Sequence, residues 1–401
     1  MMEDKKQKIY RTIMLIAMVA VITFIATAIF LGNRIGGTKY VMLQGNGEFS
    51  ELTSKLNTFK GFIDKSYLGE VNEDKIKESA IKGYIEGLGD KYSEYYTKEE
   101  MDEVKQSTSG SFEGIGIYFA QNTQTGEIIV LAPIEDSAAD KKGLLPGDII
   151  KKVDGEDVTN METTLVSSKI KGKAGTDVKL EILRNDETIE ITVTREIVIT
   201  NPIKSEIKQG NIGYIRVTSF DENTSKDFKE KYEELKKQGI ESLIIDLRNN
   251  GGGIVDEATN MADMIVDKGK TTLITIDKNN KEEITTSKNE PIISEKIVVL
   301  VNENTASASE IFAGCLKDLE KATIVGTKKY GIGVIQELMS FKDGTGLKIT
   351  TEEYLTPNRN KINGQGIVPD EVVELPKDVE SIYRIDESKD TQLQKAIELL
   401  K

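Results

Sequence analysis

Residues 299–314 read Val-Leu-Val-Asn-Glu-Asn-Thr-Ala-Ser-Ala-Ser-Glu-Ile-Phe-Ala-Gly. An apolar run passes through a small-residue turn into a helical pattern that continues to Leu319, so the stretch reads as strand, turn and helix. That geometry exposes a hydroxyl at a helix N-terminus, where free N–H groups favour a developing negative charge. On these residues alone two readings are open. Ser307 and Ser309 cap the helix, or one of them is a nucleophile. Upstream, Ile244-Ile-Asp-Leu-Arg-Asn-Asn-Gly-Gly-Gly-Ile ends a buried strand in three glycines ahead of another helix. Glycines there let backbone N–H groups approach a ligand closely, as an oxyanion hole or phosphate cradle requires. No Lys-Ser/Thr pair follows to support a phosphate loop, and a plain tight turn is the alternative.

Around these two stretches the chain alternates. Gly213–Val217, Ser242–Asp246, Ile297–Val301 and Thr323–Val325 read as strands. Ser225–Gln238, Ile254–Val266 and Ala308–Leu319 read as helices. Strands alternating with helices of this length predict a buried, mostly parallel sheet in an α/β core. Between Gly114 and Val193 the period is two, with turns at Lys142-Gly143, Asp154-Gly155 and Asn185-Asp186. This predicts a five-strand module of roughly 85 residues with two short helices, at Ser137–Lys142 and Thr163–Ile170. Ahead of it, Leu52, Leu56, Phe59, Phe62 and Ile63 keep helical spacing, and Ile76–Leu88 does so again. Asp390–Lys401 reads as an amphipathic helix.

The N-terminus carries a different signal. Ile13–Leu31 is nineteen residues without a charge, nearly enough to span a hydrocarbon core of ~30 Å. Lys5, Lys6, Lys8 and Arg11 precede it, which predicts residues 1–12 in the cytoplasm and the remaining chain outside. A cleaved signal peptide is the rival, since Ala26-Thr27-Ala28 is a small-x-small triplet. Ile29, Phe30 and Leu31 follow it, placing that cut inside the apolar run.

Composition removes several chemistries. The 401 residues include no histidine, which excludes Ser-His and Cys-His catalysis and His-ligated metal. One cysteine, Cys315, excludes intramolecular disulfides and thiolate zinc clusters. A net charge of −14 disfavours nucleic acid as a partner. No metal or other cofactor is expected. Catalysis must use hydroxyls, carboxylates, lysines, amides and backbone.

Four segments together, Ile244–Gly253, Thr305–Gly314, Val325–Gln336 and Thr350–Asp370, closely resemble the C-terminal processing peptidases, or tail-specific proteases. Gly114-Ile-Gly-Ile and Ser137–Ile150 resemble the PDZ domain that those enzymes carry. The resemblance runs from about residue 49 to 401. It implies a crotonase-like α/β protease core at 198–375, a PDZ domain at 107–197, a helical region at 38–106 and a helical tail at 376–401, behind the anchor that the apolar run predicts at 13–31. It implies a Ser-Lys dyad in which Ser307 is the nucleophile, Gln336 orients the lysine, and Gly253 and Ala308 supply oxyanion N–H groups. Gly114, Ile115, Gly116 and Ile117 become the loop that captures a client's C-terminal carboxylate by strand addition. The family's helical arms imply a homodimer.

The resemblance fails at one place. The lysine belongs 25 residues after the nucleophile and four before the glutamine, but the segment here is Tyr330-Gly331-Ile332-Gly333. Isoleucine has no lone pair to accept the serine proton, and losing one member of such a unit costs on the order of 10⁴–10⁶ in rate. Lys328, Lys329 and Lys348 are the candidate substitutes. A client receptor or partner of an active paralogue, with the chemistry disabled, is therefore the rival function, and an acyl-CoA-processing enzyme on a similar fold a more distant one. Cys315 reads as a packed core thiol, and Asp246 with Arg248 as an ion pair bracing the glycine loop.

Overall fold

The computed structural model describes residues 50–122, 125–134, 136–161, 163–199, 201–328, 331–376, 382 and 385–401. The apolar stretch 13–31, the tether after it and Lys329 lie outside the described residues. Two compact units divide the chain: one reaches to Met101 and adds Glu337–Ile349, and the other holds Asp102–Gln336 and Thr350–Lys401.

In the first unit, helices α1 (Ser50–Ser66) and α2 (Glu73–Glu86) follow the apolar spacing read from the sequence. Asn72 caps α2 by accepting the Lys75 N–H. Neither helix buries a residue, so Leu52, Leu56, Phe59 and Phe62 stay exposed. Strand β1 (Glu94–Tyr96) pairs antiparallel with Gly346–Lys348. Helix α3 (Lys98–Thr108) leads out of the unit.

The larger unit begins with β2 (Ser111–Gly114) and a small antiparallel sheet. That sheet is built from β3 (Ile117–Gln121), β4 (Ile128–Pro133), β5 (Ile149–Val153), β6 (Glu156–Asp157), β7 (Asp177–Arg184) and β8 (Glu187–Thr194). Its order is β3-β4-β5-β7-β8, with β6 beside β5. Alternate residues Val178, Leu180 and Ile182 point into one core with Ile128, Val130 and Ile150. The short helices Ala138–Lys141 (α4) and Thr163–Ile170 (α5) accompany it, and β9 (Glu196–Ile199) returns to pair with β2.

Next comes a six-stranded sheet: β10 (Ile203–Lys208), β11 (Ile212–Val217), β12 (Ser242–Asp246), β15 (Lys296–Val301), β16 (Ala322–Gly326) and β19 (Glu371–Val372), in that order. All its pairings are parallel except β10–β11. Both faces are covered. Ile245 and Val299 pack under α6 (Thr224–Lys237), α7 (Val255–Asp263) and α8 (Ala308–Asp318). On the opposite face Ile244, Val298 and Leu300 pack against Leu393, Ala396 and Ile397 of α9 (Thr391–Leu400).

The expectation of a mostly parallel core therefore holds for one sheet only, and the fold is mixed. Strands β13 (Thr271–Asp277) and β14 (Glu282–Thr286) form an antiparallel hairpin, and β13 also pairs antiparallel with the end of β18 (Gly346–Leu355). Strand β17 (Val334–Ser340) precedes β18. The Asp277–Lys281 turn closes the hairpin locally: Asp277 Oδ1 accepts N–H bonds from Asn279 and Lys281.

Candidate active site

Parallel register sets Asp246 opposite Leu300, so the loops leaving β12 and β15 emerge side by side at the carboxyl edge of the sheet. The second loop delivers Ser307. Its φ of 53° and ψ of −119° lie where a side chain is strained, at a cost of about 1–3 kcal/mol. A serine in that conformation between strand and helix is thrust outward on a sharp elbow. Ser307 is half-buried.

The first loop lies against it. A methyl group at Gly252 would fall 2.8 Å from Ser307 Cβ and 3.0 Å from Ala308 N, so only glycine permits this approach. Asn250, fully buried, ties the loops together: its carbonyl accepts from Ala306 N–H (2.9 Å) and Ser309 Oγ (3.1 Å). Its side chain donates to Val217 O and accepts the Gly252 N–H (2.9 Å). Ser309 is thereby spent on structure. Gly253 pairs with Phe220, which donates to Gly252 O and accepts from Ile254 N–H. Among the described residues, neither Gly253 N–H nor Ala308 N–H donates to a protein acceptor. Two unspent donors beside a strained hydroxyl are the elements of an oxyanion hole.

Position 332 is brought to the same place. The Glu310 carboxylate, 1% exposed, accepts the Ser307 N–H (2.9 Å) and the Ile332 N–H (3.1 Å) on one oxygen. Tyr354 repeats the link: its hydroxyl donates to Ser307 O (3.2 Å) and its N–H to Gly333 O (3.0 Å). Ile332 thus stands beside the Ser307 turn. Gln336 lies on β17, where Nε2 reaches Val334 O and Thr350 Oγ1 at 3.4 Å; among the described residues no hydrogen bond joins it to Ser307 or Ile332.

The candidate substitute bases are placed unevenly. Lys328 is exposed. Lys348 donates to Glu94 and lies 5.3 Å from the Tyr96 ring. Burial acts to lower its pKa, but Tyr96 and Glu94 outweigh that and hold it above the ordinary lysine value, opposite to what a base needs. Burial pushes the Cys315 thiol up to about 12, with Asp318 adding to the shift, as fits a packed thiol.

In the smaller module the Gly114–Ile117 segment turns between β2 and β3. Gly116 has φ +80°, and a methyl there would meet Ser137 Cβ at 2.3 Å. Ser137 Oγ and Ile134 N–H both donate to Gly116 O, and Ala139 N–H donates to Ile115 O. With its carbonyls held, the turn presents its N–H groups. Those of Ile115 and Gly116 donate to no protein acceptor among the described residues. Strand β3 ends its sheet, leaving an edge for an added strand.

Residues 211–373 match the model of peptidase family S41, 114–194 that of a PDZ domain, and 22–100 that of the activating protease CtpB N-terminal domain. A Staphylococcus aureus (strain MRSA252) protein named "Probable CtpA-like serine protease" is 35% identical over 365 residues, 90% of this chain and 71% of the relative. The chain belongs to peptidase family S41. It is a serine peptidase of the C-terminal processing kind with an internal PDZ domain. Among solved structures, a photosystem II D1 C-terminal processing protease is 29% identical, with a TM-score of 0.51 over 83% of this chain and 90% of that one. A Bacteroides fragilis protein described as an S41 protease is 16% identical with a TM-score of 0.55, over 84% of this chain and 91% of that one, and shows the fold.

Within this S41 peptidase, sequence reading picked out Glu310 and Tyr354 only as members of motifs. Glu310 sits three residues into a helix, a signal indistinguishable from an ordinary capping glutamate. Tyr354 acts through a strand that was not read as one. Among the described residues there is no acidic or cysteine cluster suited to a metal and no helix long and apolar enough to cross a membrane.

Proposed function

We propose that this S41 peptidase captures protein C-termini on the Gly114–Ile117 loop and passes them to Ser307 for acyl transfer. Ser307 Oγ forms the ester as the C–N bond breaks. The serine proton ends on the leaving amine, and water then releases the acyl group. Gly253 and Ala308 N–H groups hold the oxyanion. The strained Ser307 elbow beside those two unspent donors carries the reading. With Ile332 at the lysine position, the proton acceptor is the deficient part and limits the rate. A fluorophosphonate probe tests the reading directly: the unmutated protein should label at one site, and Ser307→Ala should abolish it. No labelling would remove Ser307 as a nucleophile.

That negative result would favour the second reading, a client-binding protein with its chemistry disabled. Ile332 supports it, as does the commitment of Lys348 to Glu94 and Tyr96.

The apolar stretch 13–31 supports a single-pass anchor, with the PDZ and protease portions outside the cytoplasm. Carbonate washing should leave the protein in the membrane pellet, and release of a form starting near residue 29 would refute the anchor. The exposed stripe on α1 and α2 supports a second copy of this chain as its cover. Phe59→Glu with Phe62→Glu should then yield monomers by light scattering; an unmutated monomer would refute the pairing.

A further inference from the structure

Arg248 stands at the root of the glycine loop and is 2% exposed. Its Nε and Nη2 donate to Asp246 at 3.0 and 2.7 Å. Its Nη1 reaches the far end of the chain, donating to Asp390 Oδ1 (2.8 Å) and Gln392 Oε1 (3.2 Å). Asp246, Asp390 and Gln392 are all at most 2% exposed. Arg216 stands opposite Asp246 in the β11–β12 register and adds a second positive charge near it. Burial would raise Asp246, but Arg248 first and then Arg216 outweigh it and hold the carboxyl low, so it is ionised. Asp390 is also the N-cap of α9, accepting the Leu393 N–H (3.0 Å). Helix α9 covers the sheet face opposite α8, so Arg248 is where that face communicates with the site.

We propose that Asp390 is a positioning residue for the oxyanion loop: docking of α9 fixes Arg248, and through it the backbone from Asn249 to Gly253. The proposal rests on the reading of Gly253 as an oxyanion donor. The next residue after Arg248 already holds a positive φ of 61°, with its N–H on Asn302 Oδ1 (2.8 Å), and the one after that is Asn250. Withdrawing Asp390 leaves a buried guanidinium short of a partner, and the cheapest relief is movement of Arg248 with the loop it begins. The N-cap of α9 thus takes part in a site 142 residues away.

The test uses the full chain. Asp390→Ser keeps a capping hydroxyl but lacks the reach and charge for Arg248. Ile397→Val loosens α9 at a point away from Arg248. Amide hydrogen exchange over 249–254 should accelerate by about 10-fold in Asp390→Ser, the worth of one charged hydrogen bond, and stay unchanged in Ile397→Val. Exchange over 114–194 should stay unchanged in both, and fluorophosphonate labelling of Ser307 should slow only in Asp390→Ser. If Asp390→Ser does not fold, Asp390→Asn keeps cap and acceptor, removes only the charge, and is read the same way. Wild-type exchange over 249–254 in the Asp390 variant, or equal acceleration in Ile397→Val, overturns the proposal. Failure of the unmutated protein to label refutes the nucleophile reading instead, and the exchange result still decides this one.

Discussion

On the reading of Ser307 as nucleophile, Ile332→Lys supplies the proton acceptor, and the backbone that would carry the new side chain is firmly held. A methyl at Gly331 would meet Ile362 O at 2.0 Å, and one at Gly333 would meet Asn363 N at 2.1 Å, so the backbone on both sides of 332 is fixed against 362–366. The Ile332 N–H shares the Glu310 carboxylate with the Ser307 N–H. A lysine there starts from an anchored Cα beside the nucleophile. A positioned general base contributes about 10²–10⁴-fold, so cleavage of an unfolded protein substrate should rise by at least ~10².

The pH dependence follows in sign. Desolvation lowers the new amine below its ordinary ~10.4, and the neutral form is the base, so the gained activity should rise with pH through the lowered pKa. Between the folded and unfolded pKa values the unfolded chain binds more protons, so stability should also increase with pH there. Each unit of depression costs about 1.4 kcal/mol of stability below the folded pKa. Ile332 is only half-buried, which keeps the depression modest. Ser307→Ala on this background should abolish the gain. A folded Ile332→Lys protein, checked by cooperative melting, that cleaves no faster would refute the assignment of position 332. Full-speed cleavage by the unmutated chain would do so as well, and alanine replacement of Lys328 and Lys329 would then identify the base.

Gly252→Ala should slow fluorophosphonate labelling of Ser307 by about 10²-fold, since its methyl would press on Ser307 Cβ and Ala308 N and misplace an oxyanion donor. The PDZ loop should bind a peptide with a free apolar C-terminus in preference to its C-terminal amide by at least about 10-fold, because the carboxylate gains charge-assisted bonds worth roughly 1.5–3 kcal/mol each. Titration calorimetry with both peptides decides this, and equal affinity would exclude a carboxylate site at Ile115 and Gly116. Cys315, with its thiol pushed up to about 12, should resist a thiol reagent at pH 8 in the native protein and react once unfolded.

What the sequence disclosed and what it concealed divide along physical lines. Strands Ser242–Asp246 and Lys296–Val301 are apolar at nearly every position because both sheet faces are covered, and such runs announce themselves. The hairpin at Thr271–Thr286 was missed because β13 buries consecutive residues rather than alternate ones, and its exposed partner β14 carries Glu282 and Glu283 and buries little. The Ser307 turn was legible because its requirements are local: small residues, a strand before and a helix after. Its supports were not legible, since Glu310, Tyr354 and Asp390 act across 22, 47 and 142 residues.

That division also bears on Ile332. Several distant supports of the Ser307 turn are present: the Asn250 bridge, the shared Glu310 carboxylate, the Tyr354 link and the Arg248 cluster. Each carries a cost in strain or buried polarity that a scaffold for peptide capture alone does not require, because the PDZ loop is built from different residues. Two expected elements depart: Ile332 stands where the family's lysine is expected, in a half-buried position whose backbone is still held, and Gln336 bonds to Val334 O and Thr350 Oγ1 rather than to Ser307 or Ile332. On the proposed reading of Ser307 as the nucleophile, the strained turn and its unspent N–H donors are in place while the proton acceptor is exchanged. Such a site should recover its chemistry by a single substitution more readily than one whose oxyanion geometry has drifted.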